Sequence, residues 1–389
     1  MKAKNLIVLL IVAVVLGGLA LLTQRSDEEP SDRIGTLVLG ELPINDIAAI
    51  AVTTPDGSSR LARVADVWVS ETDFNYPADF NRIKSAILKV SELKVGQVVE
   101  AEADDKATMK MVSPLDSPDG GTLVELRDAS GNAVASLLVG EARQRSDDSQ
   151  GRFGGYPDGQ FVSPDGGTTI YLVKDNLHEF SRASDWLNKE LVSVTGTDVT
   201  SVRLAGPDRE AIDLAVAEGG PDLVLAGLGE KEEMDASVVN SIKSALSYLR
   251  FESVADPALS DEALGLDKPD TFVTTTAKGE IYTVQIGAQA PDSENRYARI
   301  SVALEPAAPE GTAGDETEQT EDEKQAAAEA KTRQAEARGQ LEQKVVELNT
   351  KLGPWTYVIA SYKTDTMRAT RDKIVKAIEE KSDDDKEEE

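Results

Sequence analysis

Cysteine is absent from this chain of 389 residues, and histidine occurs only once, as His178. Without cysteine the chain forms no disulfides and carries no lipidated cysteine. A single histidine excludes a metal centre built from His and Cys ligands. A Ser-His-Asp triad would have to use His178, but no Gly-x-Ser-x-Gly elbow supplies its nucleophile. We therefore predict no catalytic residue and no metal site, and we interpret His178 as part of a short amphipathic turn.

Nucleotide-binding motifs are also missing. The sequence contains no P-loop, and no Gly-x-Gly-x-x-Gly follows a predicted strand, so we predict no cofactor. Aromatic residues make up only 5% of the chain. Its three tryptophans, Trp68, Trp186 and Trp355, are predicted to lie in the core, which leaves few aromatic platforms for a sugar. A hydrolase based on two carboxylates remains a third alternative, because the sequence is rich in acids.

Negative charge dominates the composition, with a formal net charge of -29 at pH 7. Such a surface repels the phosphate backbone, so we predict no nucleic-acid partner. Acidic clusters at Asp104-Asp105, Asp147-Asp148 and Asp267 could in principle attract Ca²⁺. None of them has the alternating ligand pattern of a calcium loop.

The first 25 residues contain the longest apolar run. Lys2 and Lys4 precede an uncharged stretch at residues 6–22, and Arg25 follows it. This pattern is typical of a signal-peptide core or a short membrane helix. The small-residue cleavage pattern is poor, so we favour a retained anchor in the inner membrane through residues 6–22. The lysines before the run and the acids after it, Asp27, Glu28 and Glu29, then place the N-terminus in the cytoplasm and the rest of the chain outside the cytoplasmic membrane, in the periplasm.

Two stretches of the sequence repeat the same order of strand, turn and helix signals. Strands are predicted at 47–52 and 199–204, and helices open at Asp79 and Asp235. These landmarks are spaced by about 150 residues throughout, which indicates a duplication. The predicted fold class is α+β, with an N-terminal transmembrane helix followed by two repeated units, each an antiparallel sheet with one main helix.

The predicted organisation divides the chain as follows: an anchor or signal at 1–25, a linker at 26–44, a first unit at 45–195, a second unit at 196–378 and an acidic tail at 379–389.

Within the first unit, one strand is expected to end at Val69. The helix after Asp79 is expected to bury Phe80, Ile83, Ile87 and Leu88 on one stripe.

A charged helical insertion at 306–353 interrupts the second unit, and a last helix is predicted at Thr366–Ile378. From about Glu321 the insertion is rich in Ala, Glu, Lys, Gln and Arg, which favours a helix. Leu341, Val345, Leu348 and Leu352 form one apolar seam along it. This helix either lies on its own domain or pairs with another chain as a coiled coil.

The loop at 151–159 is glycine-rich and contains aromatic residues. Its candidate binding residues are Arg152, Phe153, Tyr156 and Asp158. An ordinary wide hairpin loop is the alternative interpretation.

Several short motifs resemble a bacterial family, domain-of-unknown-function family 4340. They include Trp68 after a charged strand, Leu264-Gly265-Leu266-Asp267-Lys268-Pro269, a strand ending at Gly287, and residues 184–191. The sequence departs from the family pattern at Met111-Val112-Ser113-Pro114 and in the charged insertion. The resemblance implies one membrane helix and an extracytoplasmic domain. For some members it also implies an auxiliary role in an ABC-type transport system linked to gliding motility.

The sequence therefore predicts a membrane-anchored, extracytoplasmic, non-enzymatic protein. Its expected role is an accessory or scaffold component of a membrane complex, with an ABC transporter permease as the implied partner. The alternative is an envelope module that binds a polysaccharide, a peptide or a cation.

Overall fold

The structure is a computed structural model that describes residues 30–144, 157–180, 186–217, 220–306 and 321–378. The predicted anchor at 6–22 and the acidic tail at 379–389 lie outside these ranges. Within them, no helix is both long enough and apolar enough to cross a bilayer. The contacts between Cα atoms divide the chain into two units, with the boundary between Asn188 and Lys189. Both units are α+β, with antiparallel sheets and few helices.

The first unit is built on one antiparallel sheet of nine strands. In chain order these are β1 (Ile47–Thr54), β2 (Gly57–Val64), β3 (Val67–Ser70), β4 (Tyr76–Pro77), β5 (Gln97–Val99), β6 (Thr122–Asp128), β7 (Ala133–Gln144), β8 (Pro157–Ser163) and β9 (Ile170–Val173). Their order across the sheet is β4-β3-β2-β1-β6-β7-β8-β9-β5. Every neighbouring pair is antiparallel.

One main helix of the first unit, α1 (Phe80–Ser91), supplies part of the core. It begins as predicted, because Asp79 Oδ1 accepts hydrogen bonds from the backbone N–H groups of Asn81 and Arg82 at 3.0 and 3.2 Å. Its buried residues, Ile83, Ala86, Ile87 and Val90, join the strand side chains in one hydrophobic cluster. A second, short helix, α2 (Ala103–Thr108), lies between β5 and β6.

Two residues of the predicted apolar stripe are not buried. Phe80 is 58% exposed and Leu88 is 37% exposed. Successive helical residues rotate by about 100°, so Leu88 points away from the face that carries Ile83 and Ile87. Phe80 stands in the first turn, at the edge of that face. Ala86 takes a core position instead.

The strand expected to end at Val69 is in fact a hairpin. β2 ends at Val64 and β3 begins at Val67, and these two residues face each other. The two residues between them, Ala65 and Asp66, have φ values of 47° and 68°. Two left-handed residues in a two-residue loop match the twist of the flanking strands. Ala-Asp lacks the Asn-Gly signature of such turns, so the sequence did not reveal this one.

The second unit contains an eight-stranded antiparallel sheet and two two-stranded ladders. Its strands are β10 (Glu190–Val192), β11 (Val199–Gly206), β12 (Arg209–Val216), β13 (Leu223–Leu225), β14 (Glu232–Met234), β15 (Leu249–Arg250), β16 (Ser253–Val254), β17 (Asp270–Thr276), β18 (Glu280–Gln289), β19 (Arg296–Leu304), β20 (Tyr357–Ile359) and β21 (Val375–Ala377). The large sheet has the order β13-β12-β11-β17-β18-β19-β20-β16, and the ladders pair β10 with β15 and β14 with β21.

The helices of the second unit are α3 (Ala236–Lys243), α4 (Asp261–Leu264), α5 (Glu321–Leu352), α6 (Ser361–Met367) and α7 (Arg371–Ile374). Asp235 caps α3 as predicted, and it accepts hydrogen bonds from Ser237 N at 3.0 Å and Val238 N at 3.3 Å. Its other carboxylate oxygen lies 2.8 Å from Lys376 Nζ. That contact joins the start of α3 to the C-terminal strand β21.

The single helix predicted at Thr366–Ile378 is wrong. α6 ends at Met367, α7 is one short turn, and the chain then forms β21. β21 pairs with β14 in an antiparallel ladder that aligns Lys376 with Glu233. Pairing with a distant strand overrides the local helical preference of this segment. No local pattern in the sequence reports such a pairing.

The insertion helix α5 is present with the predicted seam. Leu352 is fully buried, and Leu341, Val345 and Leu348 are half-buried. The C-terminal part of the helix packs against β19, where the Asn349 side chain accepts from Val302 N at 2.9 Å and donates to Val302 O at 2.7 Å. This half of the helix therefore lies on its own unit. By contrast, every side chain from Ala328 to Ala337 is exposed.

The two aspartate caps form a matched pair for mutagenesis. Asp79→Ala should lower the free energy of unfolding by about 1 kcal/mol, because two N–H groups lose their acceptor. Asp235→Ala should cost more than Asp79→Ala, because Lys376 also loses its partner. Urea denaturation of both variants, with Lys376→Ala as the control for the second contact, measures the difference. Equal losses for the two aspartate variants would contradict this account.

Candidate functional site

The predicted binding loop is only partly described. Arg152, Phe153 and Tyr156 lie outside the described residues, whereas Asp158 stands at the start of β8. Asp158 accepts two hydrogen bonds from the Arg143 guanidinium, at 2.8 and 3.0 Å. This hydrogen bonding raises the pKa of Arg143. Asp158 therefore fastens β8 to β7, and it does not line the cavity described below.

His178 lies in a single turn of 3-10 helix, as the amphipathic-turn interpretation expects. Its Nδ1 is 3.6 Å from a carboxylate oxygen of the neighbouring Glu179. Glu179 also pairs with Lys89 of α1. Burial is the largest single influence and tends to raise the pKa of Glu179, but the hydrogen bond from Lys89, a backbone hydrogen bond and the charge of Lys89 together lower this pKa. The ionised Glu179 thus holds this turn against α1.

Where the structure describes them, the acidic clusters do not assemble into a metal site. In the described part of the chain, no group of three or more His, Cys, Asp or Glu side chains could hold an ion. Asp104 and Asp105 belong to the first turn of α2, where Asp105 accepts a hydrogen bond from Glu102 N at 3.3 Å. Asp147-Asp148 lie outside the described residues.

A cavity of about 320 Å³, here called the first-unit cavity, opens beside the β6–β7 hairpin. Its polar lining comes from eight residues: Thr54, Asp56, Lys110, Thr122, Glu141, Gln160, Asn176 and His178. Part of its wall is backbone, at Gly120, Gly121 and Gly140. A volume of this size is typical of small-molecule sites. We take the first-unit cavity as the candidate functional site.

Gln160 is buried beneath this cavity, and both ends of its amide are hydrogen-bonded. It donates from Nε2 to Gly140 O at 3.1 Å and accepts from Leu177 N at 2.7 Å. These two bonds connect β7 to the segment that carries His178. Gln160 therefore orients the wall of the cavity.

Lys110 and Glu141 face each other at the mouth of the cavity. Lys110 Nζ lies 3.1 Å from the Glu141 carboxylate, and both side chains are about half exposed. Lys110 has a φ of 54°, in the left-handed region that a lysine adopts only at an energetic cost. Such strain concentrates at functional sites. The strained backbone holds the ammonium group at the cavity mouth.

A second cavity, of about 510 Å³, lies in the second unit. Arg209 lines this cavity, and hydrogen bonds and an ion pair fix its side chain. It donates from Nη1 to Arg368 O at 2.7 Å, and its Nε lies 3.3 Å from Asp270 Oδ1. Arg368 pairs with the other oxygen of Asp270. The two arginines and Asp270 form a largely buried ionic cluster, so Arg209 acts here as a structural residue.

The insertion helix is held by a buried carboxylate on β18. Glu280 is 4% exposed. It accepts hydrogen bonds from Lys344 Nζ of α5 at 2.6 Å, from Tyr282 OH at 3.2 Å and from Thr276 Oγ1 at 3.3 Å. Burial, together with the charge of Glu280, raises the pKa of Tyr282. One buried acid with three donors thus anchors α5 to the sheet.

The tryptophans agree in part with the core prediction. Trp68 and Trp186 are 6% and 1% exposed, and Trp355 is half-buried. Sequence reasoning missed the cavity residues Lys110, Glu141 and Gln160. One signal was available, because Lys110 directly precedes Met111, where the family motif is broken.

The substitution Tyr282→Phe tests the hydrogen bonding around the buried Glu280 carboxylate. At pH 7 the variant should lose about 1 kcal/mol of unfolding free energy, since one hydrogen bond to a charged group disappears. A raised folded-state pKa means that the neutral phenol stabilises the fold fully below the unfolded pKa of about 10 and loses this effect as the pH rises further. The difference between wild type and variant should therefore shrink above about pH 10, measured by urea titration. A constant difference from pH 7 to 11 would contradict the assignment.

A known family model matches residues 68–269, a range that covers more than half of the chain and extends from the first unit into the second. No curated protein and no solved structure matches the chain. The chain belongs to the family described as Domain of unknown function (DUF4340).

Proposed function

We propose that this chain is a membrane-anchored, extracytoplasmic protein that acts without catalysis, as an accessory or scaffold component of a membrane complex. The apolar run at residues 6–22 supports the anchor, because it contains no charged residue and Lys2 and Lys4 precede it, whereas Asp27, Glu28 and Glu29 follow it. The family resemblance supports a complex of the ABC transport type. The body supplies docking surfaces, and any energy for transport comes from the partner.

The observation that carries this proposal is the exposed half of α5. The helix of 32 residues is about 48 Å long, and its contacts with β19 and Glu280 lie in the C-terminal part. Residues 328–337 are exposed on all sides and carry charges of both signs. A helix that is fixed at its C-terminal end and exposed over residues 328–337 suits the docking of a second protein.

We further propose that the two units arose by duplication. The strand orders support this, since β2-β1-β6-β7-β8-β9-β5 and β12-β11-β17-β18-β19-β20-β16 run in the same sequence across their sheets. Lys110 and Gly265 both follow a short helix with φ values of 54° and 65°. The next residues, Met111 and Leu266, each donate to a carbonyl five positions earlier at 2.7 Å.

An envelope ligand-binding module for a polysaccharide, a peptide or a cation is the second candidate function. The first-unit cavity favours it, because this cavity has the volume and the charged rim of a ligand site. The two functions are compatible, since the exposed part of α5 and the cavity belong to different units.

Photo-cross-linking in cells tests the scaffold role. A benzophenone side chain at Ala335, in the exposed part of α5, should give a discrete adduct with a membrane protein. The same group at Ser130, in the exposed β6–β7 turn, serves as the control. The proposal fails if Ala335 gives no adduct, or if both sites give the same pattern.

A further inference from the structure

The first-unit cavity and the ionic cluster of the second unit occupy corresponding places in their sheets. Thr54 pairs with Gly57 across the β1–β2 hairpin, and Gly206 pairs with Arg209 across the β11–β12 hairpin. Both hairpins turn through Pro-Asp, at residues 55–56 and 207–208. Gly57 in the first unit therefore stands where the second unit has Arg209.

A second pair of positions gives the same correspondence. Gln160 on β8 donates to Gly140 O at 3.1 Å, and Arg296 on β19 donates to Gly287 O at 3.0 Å. The acceptors are matching glycines near the ends of β7 and β18. The second unit thus has an arginine at both positions. The first unit has Gly57, with no side chain, at one position and the neutral amide of Gln160 at the other.

The surroundings of Arg209 in the second unit show that this position beside the β11–β12 hairpin holds a cation. Besides its contacts with Asp270 and Arg368 O, Arg209 donates to Ala205 O at 3.2 Å and Ala369 O at 3.2 Å. Backbone carbonyls and one carboxylate surround the cation. In the first unit Gly57 brings no side chain to this place, and the residues just before it, Thr54, Pro55 and Asp56, line the cavity of about 320 Å³.

The rim of the first-unit cavity is suited to a cation. Two carboxylates, Asp56 and Glu141, and one ammonium, Lys110, line it, so acidic side chains outnumber lysine and arginine in the lining. Lys110 and Glu141 neutralise each other at 3.1 Å. Asp56 is exposed at the rim and available to a positively charged group. In the second unit, the residue equivalent to Glu141 is Ala288, directly after Gly287.

From these correspondences we propose that the first-unit cavity binds a guanidinium or primary ammonium group, carried by a small molecule or by a basic side chain of a partner. The bound cation takes the place that Arg209 and Arg296 fill in the second unit. This proposal rests on the second candidate function, the ligand-binding module, and names the class of its ligand. It does not depend on the membrane anchor or on the docking role of α5.

Calorimetry with the full-length chain in detergent tests the proposal. L-arginine and N-acetyl-L-arginine amide are the probes. N-acetyl-L-citrulline amide, called citrulline below, is the uncharged control of the same shape as the capped probe. Both arginine probes should bind and citrulline should not. Binding of free arginine alone identifies a small amino compound as the ligand. Equal binding of the capped form identifies a side chain of a partner.

Two sets of variants locate the binding. Asp56→Asn combined with Glu141→Gln should weaken arginine binding by about tenfold, because charge-assisted hydrogen bonds are lost. Gly57→Arg supplies the cation from the chain itself and should abolish binding. Gly57→Gln makes a similar backbone change without the charge, and it should bind more tightly than Gly57→Arg. Thermal melts confirm that each variant is folded.

Two results would overturn the proposal. The first is equal heat from arginine and citrulline, or from neither at millimolar concentration. The second is equal binding to Gly57→Arg and Gly57→Gln. Neither of these results bears on membrane attachment or cross-linking through α5.

Discussion

In each large sheet, one strand has a glycine over which the backbone of another segment passes in direct contact. The architecture of both units depends on this close backbone contact. A Cβ at Gly140 would collide with Met109 O and the Met111 side chain, and a Cβ at Gly287 would collide with Leu264 O. In the first unit the crossing is fixed by a hydrogen bond from Glu141 N to Met109 O at 2.8 Å. Without this close contact, Lys110 would not reach the cavity mouth.

The same close backbone contact occurs in both units, yet the residues that follow it differ between them. After the crossing, the second unit has Gly265 with its left-handed φ, which costs a glycine nothing. The first unit has Lys110 in that conformation and accepts the strain. In the second unit the equivalent interior holds the ionic cluster of Arg209, Asp270 and Arg368, beside that unit's own cavity, whereas the first unit has a cavity with a charged rim and no arginine at the matching positions. This difference, rather than the shared sheet order, distinguishes what the two units can bind.

Much of the fold could be predicted from local signals. The aspartate caps at Asp79 and Asp235, the hairpins and the seam of α5 depend on neighbouring residues, and the structure contains them. The errors have long-range or unusual causes. β21 forms because β14 offers a free edge, and the β2–β3 turn uses Ala-Asp in place of the usual turn residues.

The candidate site was harder to predict than the fold. The sequence drew attention to the loop at 151–159, yet Asp158 serves a structural pairing with Arg143. The cavity residues Lys110, Glu141 and Gln160 come from three separate segments. Only the register of the strands brings them together, and periodicity in one sequence does not reveal that register. Aligning Met109-Lys110-Met111 with Leu264-Gly265-Leu266 would have identified Lys110.

Protease accessibility of the full-length chain in bacterial spheroplasts tests the central claim most directly. If residues 6–22 anchor the chain with its body outside the cytoplasmic membrane, externally added protease should digest the body in intact spheroplasts, and carbonate extraction should leave the undigested chain in the membrane pellet. A chain that stays protected until the spheroplasts are lysed, or that is released into the soluble fraction, would contradict the account.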